Sequence, residues 1–469
     1  MVSLDEPLHL VTSGYEQESL LAIWENLNGR SVYVSRWDEP FRWAIYNWLF
    51  YESYTAFTGL FLEMFSLTDS WLPTIARNMT LLGVGVVTVQ CYIVLREVRT
   101  KNGPEALHSA ALAVFVGVGP LVGYWGMTTR PDIWALALEI ATVLVYLKFR
   151  LSRPLCAVLF CCIFAYAAWA FKQSNLSAIV AIGAFLLIRL RWKELFLLVG
   201  TMVAAFSATL AFGSDYFRAS ILLLEWKGTN SVENSLRILL ATAPKTFPFI
   251  FGLFTLFVLL LSKPNLLRNV ALNDYALIAI FGVVVSGVFA FLTSIQPGAA
   301  ENYYFVTTFF SAVLICIIMS QSSRLISGSE HVFRASISFG WILQGLAIGA
   351  VLFGFIGTTS LRHFDTYYRS MGACLAQLPR PLFVDNHYLS LPWMNPNNVS
   401  YVLAFGYGKE IPTEENKYFG DGIGGKIKRQ EFAALAFTNS PGGTYDGAPL
   451  SHYRPVDSSC EDLYVFLRP

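Results

Sequence analysis

Four short polar groups in an otherwise greasy 469-residue chain have side chains suited to group transfer. The first lies in residues 13–54, SGYEQESLLAIWENLNGRSVYVSRWDEPFRWAIYNWLFYESY, where Glu16, Glu18, Asp38 and Glu39 precede any stretch able to cross a bilayer without burying charge. A carboxylate desolvated beside a membrane can act as general base toward a sugar or lipid hydroxyl. On spacing alone, ordinary acids of a hydrated loop explain the same residues. The second group is Thr128-Thr129-Arg130-Pro131-Asp132. Pro131 suits a helix start and Asp132 the positive end of a helix dipole, so a capped helix is the structural explanation. Arg130 equally has the planar fork that grips a phosphate. The third is Lys172-Gln173-Ser174-Asn175, a tight turn between two apolar runs. The fourth is QPGAAENYY at 296–304, which sets Glu301 and Asn302 at a helix N-terminus, where capping is the ordinary role. Its Pro-Gly turn and paired tyrosines, Tyr303 and Tyr304, would also suit a lipid-phosphate or sugar site.

The elements that must position these groups are membrane helices. The chain is 55% hydrophobic and 14% charged, with a mean hydropathy of +0.50, whereas a soluble chain carries about a quarter charged residues. The apolar residues come in blocks long enough to span a hydrocarbon core. Hydropathy places ten spans near 74–95, 106–125, 132–149, 155–171, 175–190, 194–213, 246–262, 274–293, 303–320 and 336–358. The expected fold class is therefore an all-α polytopic membrane protein. A net charge of +1 gives no hint of nucleic acid. The seven cysteines show no metal spacing, and Cys161 and Cys162 read as small core residues of a helix. Residues 1–28 lack the basic start and apolar run of a cleavable signal.

Basic residues alternate between loops: Arg96, Arg99 and Lys101 follow the first span, Lys148, Arg150 and Arg153 the third, Arg189, Arg191 and Lys193 the fifth. The positive-inside rule puts these loops in the cytoplasm. Residues 1–73, the loop at 214–245 and the tail 359–469 then lie outside. Arg130 and Lys172 break the charge rule on the outer side, and ionisable residues placed so are candidates for function, an interfacial anchor being the alternative. Phe41 to Phe65 is interrupted by Glu52 and Glu63 and rich in Trp and Tyr. It reads as an amphipathic helix on the membrane surface; the rival reading, a true span, would put the N-terminal carboxylates in the cytoplasm. Three regions result: an acidic outer loop with an interfacial helix at 1–73, a transmembrane domain at 74–358, and a Gly-, Pro- and Asn-rich outer cap at 359–469 that is partly β or loop-rich.

No Walker loop, HExxH, GxSxG or Cys/His metal spacing appears in a meaningful context. A coupled carrier would show charges or Gly/Pro breaks at mid-span and two related halves. Here the ionisable residues cluster at span ends, which favours an enzyme over a transporter.

The pattern GYEQESLLAIWENLNGRSVYVSRWDEPF followed by NWLFY resembles the first extracytoplasmic loop of GT-C superfamily glycosyltransferases. LPTIARNMTLLGVGV resembles their next span, with an arginine near its start; TTRPDIWALALEIA, FKQSNLSAIVAIGAFLLIR and ENYYFVTTFFSAVL resemble their R-P-D entry, lysine turn and N-Y motif. The likeness runs in order over roughly residues 10–320. It implies a GT-C-like bundle of about ten to eleven transmembrane helices with a small extracytoplasmic C-terminal region, similar to protein O-mannosyltransferases and lipid A aminoarabinose transferase. The implied activity is transfer of a sugar from a polyprenyl-phosphate carrier to an acceptor hydroxyl of a glycan, lipid or protein. Carried over, the catalytic acid falls on Glu16, with Asp38 and Glu39 as rivals. Arg130, Lys172 and Gln173 would bind the carrier phosphate, and Asp132, Glu301, Asn302 and Tyr303 would line the donor or acceptor site. No cofactor is implied; a divalent metal is compatible with such chemistry, but no ligand motif is visible. The implied location is a multi-pass membrane, a bacterial inner membrane rather than endoplasmic reticulum, with the active side extracytoplasmic. The alternatives are a transporter or flippase of lipid-linked sugar and a non-catalytic subunit of a glycan-assembly complex.

Overall fold

The computed structural model describes residues 15–34, 44–99, 106–222, 231–262, 272–296, 299–325, 371–386, 389–393, 422–441, 443–445, 448–456, 460 and 463–469. Asp38, Glu39 and the span expected at 336–358 lie outside the described residues.

The described chain is a helical bundle followed by a small sheet. Its helices are α1 (Tyr15–Leu27), α2 (Trp48–Met64), α3 (Leu72–Val98), α4 (Ala106–Val118), α5 (Asp132–Phe149), α6 (Pro154–Phe171), α7 (Ser177–Ile188), α8 (Trp192–Phe212), α9 (Asp215–Ile221), α10 (Val232–Lys245), α11 (Phe247–Ser262), α12 (Asp274–Thr293) and α13 (Phe305–Leu325). Among the described residues, five segments are long and apolar enough to cross a membrane: Asp69–Val98, Pro154–Phe171, Trp192–Phe212, Asp274–Thr293 and Glu301–Ile318. A sixth candidate is the pair α10 and Phe247–Phe254, bent by 86°.

Three of the expected spans take a form that hydropathy does not foresee. Residues 106–125 split into α4 and a 3-10 turn over Gly123–Met127. The helix over 132–149 is present, but Asp132 and Glu139 are buried inside protein rather than facing lipid. Glu139 explains the third: its carboxylate accepts the backbone N–H of Ser177 at 2.9 Å and of Ala178 at 2.6 Å, so it caps α7 from a neighbouring helix. A carboxylate at a helix N-terminus satisfies orphan amides and meets the positive end of the dipole. α7 accordingly starts within the protein and runs only 12 residues.

The bundle has a polarity along its axis. At one end Arg150 and Arg189, from loops expected to face the cytoplasm, both pair with Asp274 at the start of α12, at 2.7 and 2.8 Å. At the other end lie the turns carrying Arg130, Lys172 and Glu301.

The N-terminal segment packs on this second end. Asn47 caps α2 through its side-chain oxygen and donates its amide to Trp169 O at 2.9 Å, pinning α2 to the end of α6. α2 buries Phe50, Tyr51, Tyr54 and Thr58 and leaves Leu60 and Met64 exposed. At 17 residues, with two glutamates along it, it is shorter than the spanning helices.

In a small sheet, β1 (Leu382–Val384) pairs parallel with β2 (Ala434–Phe437), which pairs antiparallel with β4 (Tyr464–Leu467), itself antiparallel to β3 (Arg454–Val456). The period-2 alternation of strands sorts its two faces. Leu382, Val384, Ala434 and Ala436 join a core with Leu21 of α1, while Phe383, Leu435 and Phe437 join another with Ile423 and Ile427 of α14 (Gly422–Lys428). A disulfide links Cys374 to Cys460 beside the first core. α1 is thus shared: Leu21 faces the sheet, while Leu20, Ala22 and Ile23 pack with Phe50, Tyr54 and Leu72 of the bundle.

Candidate functional site

The turn 128–131 is held from three sides before Asp132 opens α5. Thr80 of α3 donates its hydroxyl to Thr128 O at 2.9 Å and shares a 2.7 Å contact with the Tyr54 hydroxyl. Thr129 N–H donates to Glu16 Oε1 at 2.8 Å. Glu16 itself is fully buried and meets Arg77 of α3 as a fork, Nε to Oε1 and Nη2 to Oε2, both at 2.9 Å. Both carboxylate oxygens are therefore engaged, in the bidentate geometry that makes arginine pairs strong. Arg77, in sequence no more than an arginine near a span start, completes this pair.

Around that turn, charges drawn from distant parts of the chain meet. Asp132 Oδ1 accepts Lys172 Nζ at 2.5 Å and Asn302 Nδ2 at 2.5 Å. Its Oδ2 lies 3.3 Å from Arg130 Nε, an ion pair in which neither atom has a hydrogen-bond partner. All four residues are at least nine-tenths buried. The Arg130 guanidinium sits 4.5 Å from the ring of Trp125, 5.5 Å from that of Tyr15 and 5.7 Å from that of Tyr46. Such faces hold a cation by their quadrupoles without neutralising it. Lys172 likewise rests 4.2 Å from the ring centre of Tyr303. Burial first, with a smaller push from Asp132 and against the pull of Arg130, raises the Tyr46 phenol well above its ordinary value, so it stands as a neutral hydroxyl.

The structure thus brings Arg130, Asp132, Lys172, Asn302 and Tyr303 into one cluster, across a sequence separation of 170 between Asp132 and Asn302. Gln173 sits at its edge, donating to Ile45 O at 2.9 Å while its Oε1 has no partner. Glu301 turns away and pairs with Lys245 at the bend between α10 and α11, at 2.7 Å. Glu16 belongs to the layer beneath, through Thr129. Sequence marks Tyr46 only as an interfacial aromatic, Lys245 only as an outer-loop cation and Trp125 not at all; the aromatic run GYWGM just before TTRPD is the local signal for Trp125.

Two features of this cluster bear on chemistry. Among the described residues, two buried cations share one carboxylate, since Arg77 is matched by Glu16 and Lys245 by Glu301. Beside it opens a small cleft lined by Asp132, Ser174, Asn175, Ser177, Asn302 and Tyr303 among others. Buried charge in excess of its partners is costly unless a counter-charge is supplied. The arrangement is suited to receive an anion at Arg130 and Lys172.

No family model and no curated protein matches the sequence. Among solved structures, the chain is similar to the crystal structure of ArnT from Cupriavidus metallidurans bound to undecaprenyl phosphate. The TM-score is 0.54, over 99% of this chain and 95% of that chain, at 13% sequence identity. That likeness extends over nearly the whole of both chains and gives the molecule a GT-C-like polytopic membrane fold.

Proposed function

We propose that the chain is a membrane glycosyltransferase that moves a sugar from a polyprenyl-phosphate carrier to an acceptor hydroxyl on the extracytoplasmic face. The observation that carries this reading is the excess positive charge at Arg130 and Lys172, buried at the end of the bundle where a lipid phosphate could enter. The fold is shared with a protein whose crystal structure holds undecaprenyl phosphate, which supports the same class of carrier.

In this mechanism, a carboxylate takes the proton of the acceptor hydroxyl, whose oxygen attacks the anomeric carbon. The new C–O bond forms as the bond to the phosphate oxygen breaks, and the polyprenyl phosphate leaves with the electron pair. A single displacement inverts the anomeric configuration. Arg130 and Lys172 stabilise the charge that grows on the leaving phosphate, where preorganised cations contribute most. Glu16 is a poor candidate for the base because Arg77 and Thr129 occupy its oxygens; it acts as a positioning residue for the turn that carries Arg130. The base then falls to Asp38 or Glu39, five or six residues ahead of Ala44 in sequence.

The sidedness has physical support. α1, the Cys374–Cys460 disulfide and the sheet share one core, so the N-terminal segment and the tail lie on one face. Disulfides persist in oxidising compartments, which favours the outside for that face.

The test is transfer from a panel of labelled polyprenyl-phosphate sugars by purified protein in proteoliposomes. Wild type should transfer from at least one donor, and Lys172→Met should lower kcat/KM by about 10- to 100-fold, the worth of a charge-assisted hydrogen bond. Unchanged kcat/KM in Lys172→Met and Arg130→Met would sink the assignment.

A further inference from the structure

At the end of the bundle opposite Arg130 and Lys172, a second group of cations outnumbers its carboxylates. Asp274, in the first turn of α12, accepts Arg150 Nη1 at 2.7 Å and Arg189 Nε at 3.0 Å, across sequence separations of 124 and 85. Arg150 is buried, 4.6 Å from the centre of the Tyr275 ring, and its Nε has no hydrogen-bond partner. A buried guanidinium needs a counter-charge close by, so Asp274 is committed to Arg150. Arg189, with its side chain 31% exposed, is left in surplus. Arg191 stands alongside, 3.5 Å from the hydroxyl of Tyr146, whose carbonyl in turn accepts the Arg150 N–H; Glu194 matches Arg191 at 2.7 Å. Among the described residues, the exposed Lys148, Arg153 and Lys193 form no ion pair. Scattered loop cations follow from the positive-inside rule alone. The convergence of two loops on one carboxylate does not.

Surplus surface cations by themselves would suit water, but their neighbours do not. Leu151, Leu190, Trp192 and Leu272 adjoin the cluster and are 46–80% exposed, and the Leu272 carbonyl accepts Arg189 Nη2 at 3.2 Å. Leu190 carries a further mark. It follows α7 with a φ of 52°, where the Arg191 N–H closes the helix on Leu186 O at 2.9 Å. That position ordinarily takes glycine, because a side chain there crowds the backbone. Here the strained backbone holds out a leucine that finds no favourable contact in water and does find one among acyl chains. Arginines beside exposed apolar side chains match an amphiphile with an anionic head and hydrocarbon tails, and basic sites between membrane helices take such headgroups.

We infer that this end of the bundle holds an anionic phospholipid, its phosphate on the exposed face of Arg189 beside Arg191 and its acyl chains over Leu151 and Leu190. The site lies across the membrane from the candidate carrier site and stands whether or not the chain transfers a sugar.

The test titrates phosphatidylglycerol and phosphatidylcholine onto the purified full chain in detergent and counts retained lipids by native mass spectrometry. Arg130 and Lys172 are intact in every variant, so anion binding at their end is common to all. Wild type should hold at least one phosphatidylglycerol about tenfold more tightly than phosphatidylcholine, the worth of one charge-assisted hydrogen bond. Arg189→Gln should retain one fewer. Arg96→Gln removes an exposed cation outside the cluster and should retain the wild-type number. Leu190→Gly fits the backbone better, so it should unfold no earlier than wild type and still bind phosphatidylglycerol a few-fold more weakly. Soluble glycerol phosphate at equal concentration should not compete. Equal binding of the two lipids, or equal losses in Arg189→Gln and Arg96→Gln, would overturn the inference. Wild-type binding by Leu190→Gly together with full competition by glycerol phosphate would overturn it as well, in favour of a soluble anion.

Discussion

Removing the charge of Glu16 tests whether this residue positions the site or does chemistry in it. In Glu16→Gln the amide oxygen can still accept from Arg77 Nε and Thr129 N–H, but the amide nitrogen then faces Arg77 Nη2, donor against donor. Arg77, fully buried, is left without its counter-charge. Breaking a buried pair in this way costs about 3–5 kcal/mol. Replacing both partners by apolar side chains of similar volume is often close to neutral. We therefore expect Glu16→Gln to be strongly destabilised in thermal unfolding in detergent micelles, and Glu16→Met/Arg77→Met to regain most of that loss. The double variant lacks only the tether to Thr129, about 0.5–1.5 kcal/mol, so its transfer rate should fall within about tenfold of wild type. Loss of a general base would instead cost about 10²–10⁴-fold. A double variant that is as stable as wild type yet loses transfer by that larger factor would refute the positioning role and make Glu16 the base.

Further expectations concern the C-terminal region and the bundle core. Burial, against hydrogen bonds from Thr438, raises Asp385 to about 6. Since the folded value exceeds the unfolded one, protonation favours the folded state: the contribution is fully present below about pH 4 and is lost as pH rises through about 6. Hydrogen exchange of the sheet should quicken across that window, and Asp385→Asn should flatten the dependence. Cys374→Ser/Cys460→Ser opens a link spanning 86 residues and should cost on the order of 2–4 kcal/mol, read as faster proteolysis of residues 422–469. In Gly282→Ala the added methyl would meet the Phe310 ring where α12 packs on α13, a loss of about 1–3 kcal/mol measurable by thermal unfolding.

Much of the bundle was legible because lipid-facing helices must be apolar over a fixed length, as α6, α8 and α12 are. Arg130 and Lys172 stood out because cations at outer span ends break the loop pattern, and Asp132 and Asn302 because they sit at helix starts beside polar turns. That Arg130, Lys172 and Asn302 meet on Asp132 was not legible, since spacing along the chain says nothing of contacts across 170 residues. The same blindness to partners hid the Glu16–Arg77 fork, the capping of α7 by Glu139 and the pairing of Cys374 with Cys460. Hydropathy averages along a segment without saying what surrounds it, so it placed a span over 132–149 but could not foresee that α5 buries Asp132 and Glu139 inside the bundle. The bend between α10 and α11 escaped for another reason: α10 is amphipathic and polar enough to read as loop, with Pro244 near its end.

The most direct test of the central claim is whether the buried cations bind a carrier phosphate. Native mass spectrometry of the purified protein with polyprenyl phosphate and with the matching polyprenol isolates the phosphate from the chain. The account predicts retention of the phosphate form over the alcohol, lowered about 10- to 100-fold in Lys172→Gln and in Arg130→Gln. Equal retention of phosphate and alcohol, unchanged in both variants, would contradict it.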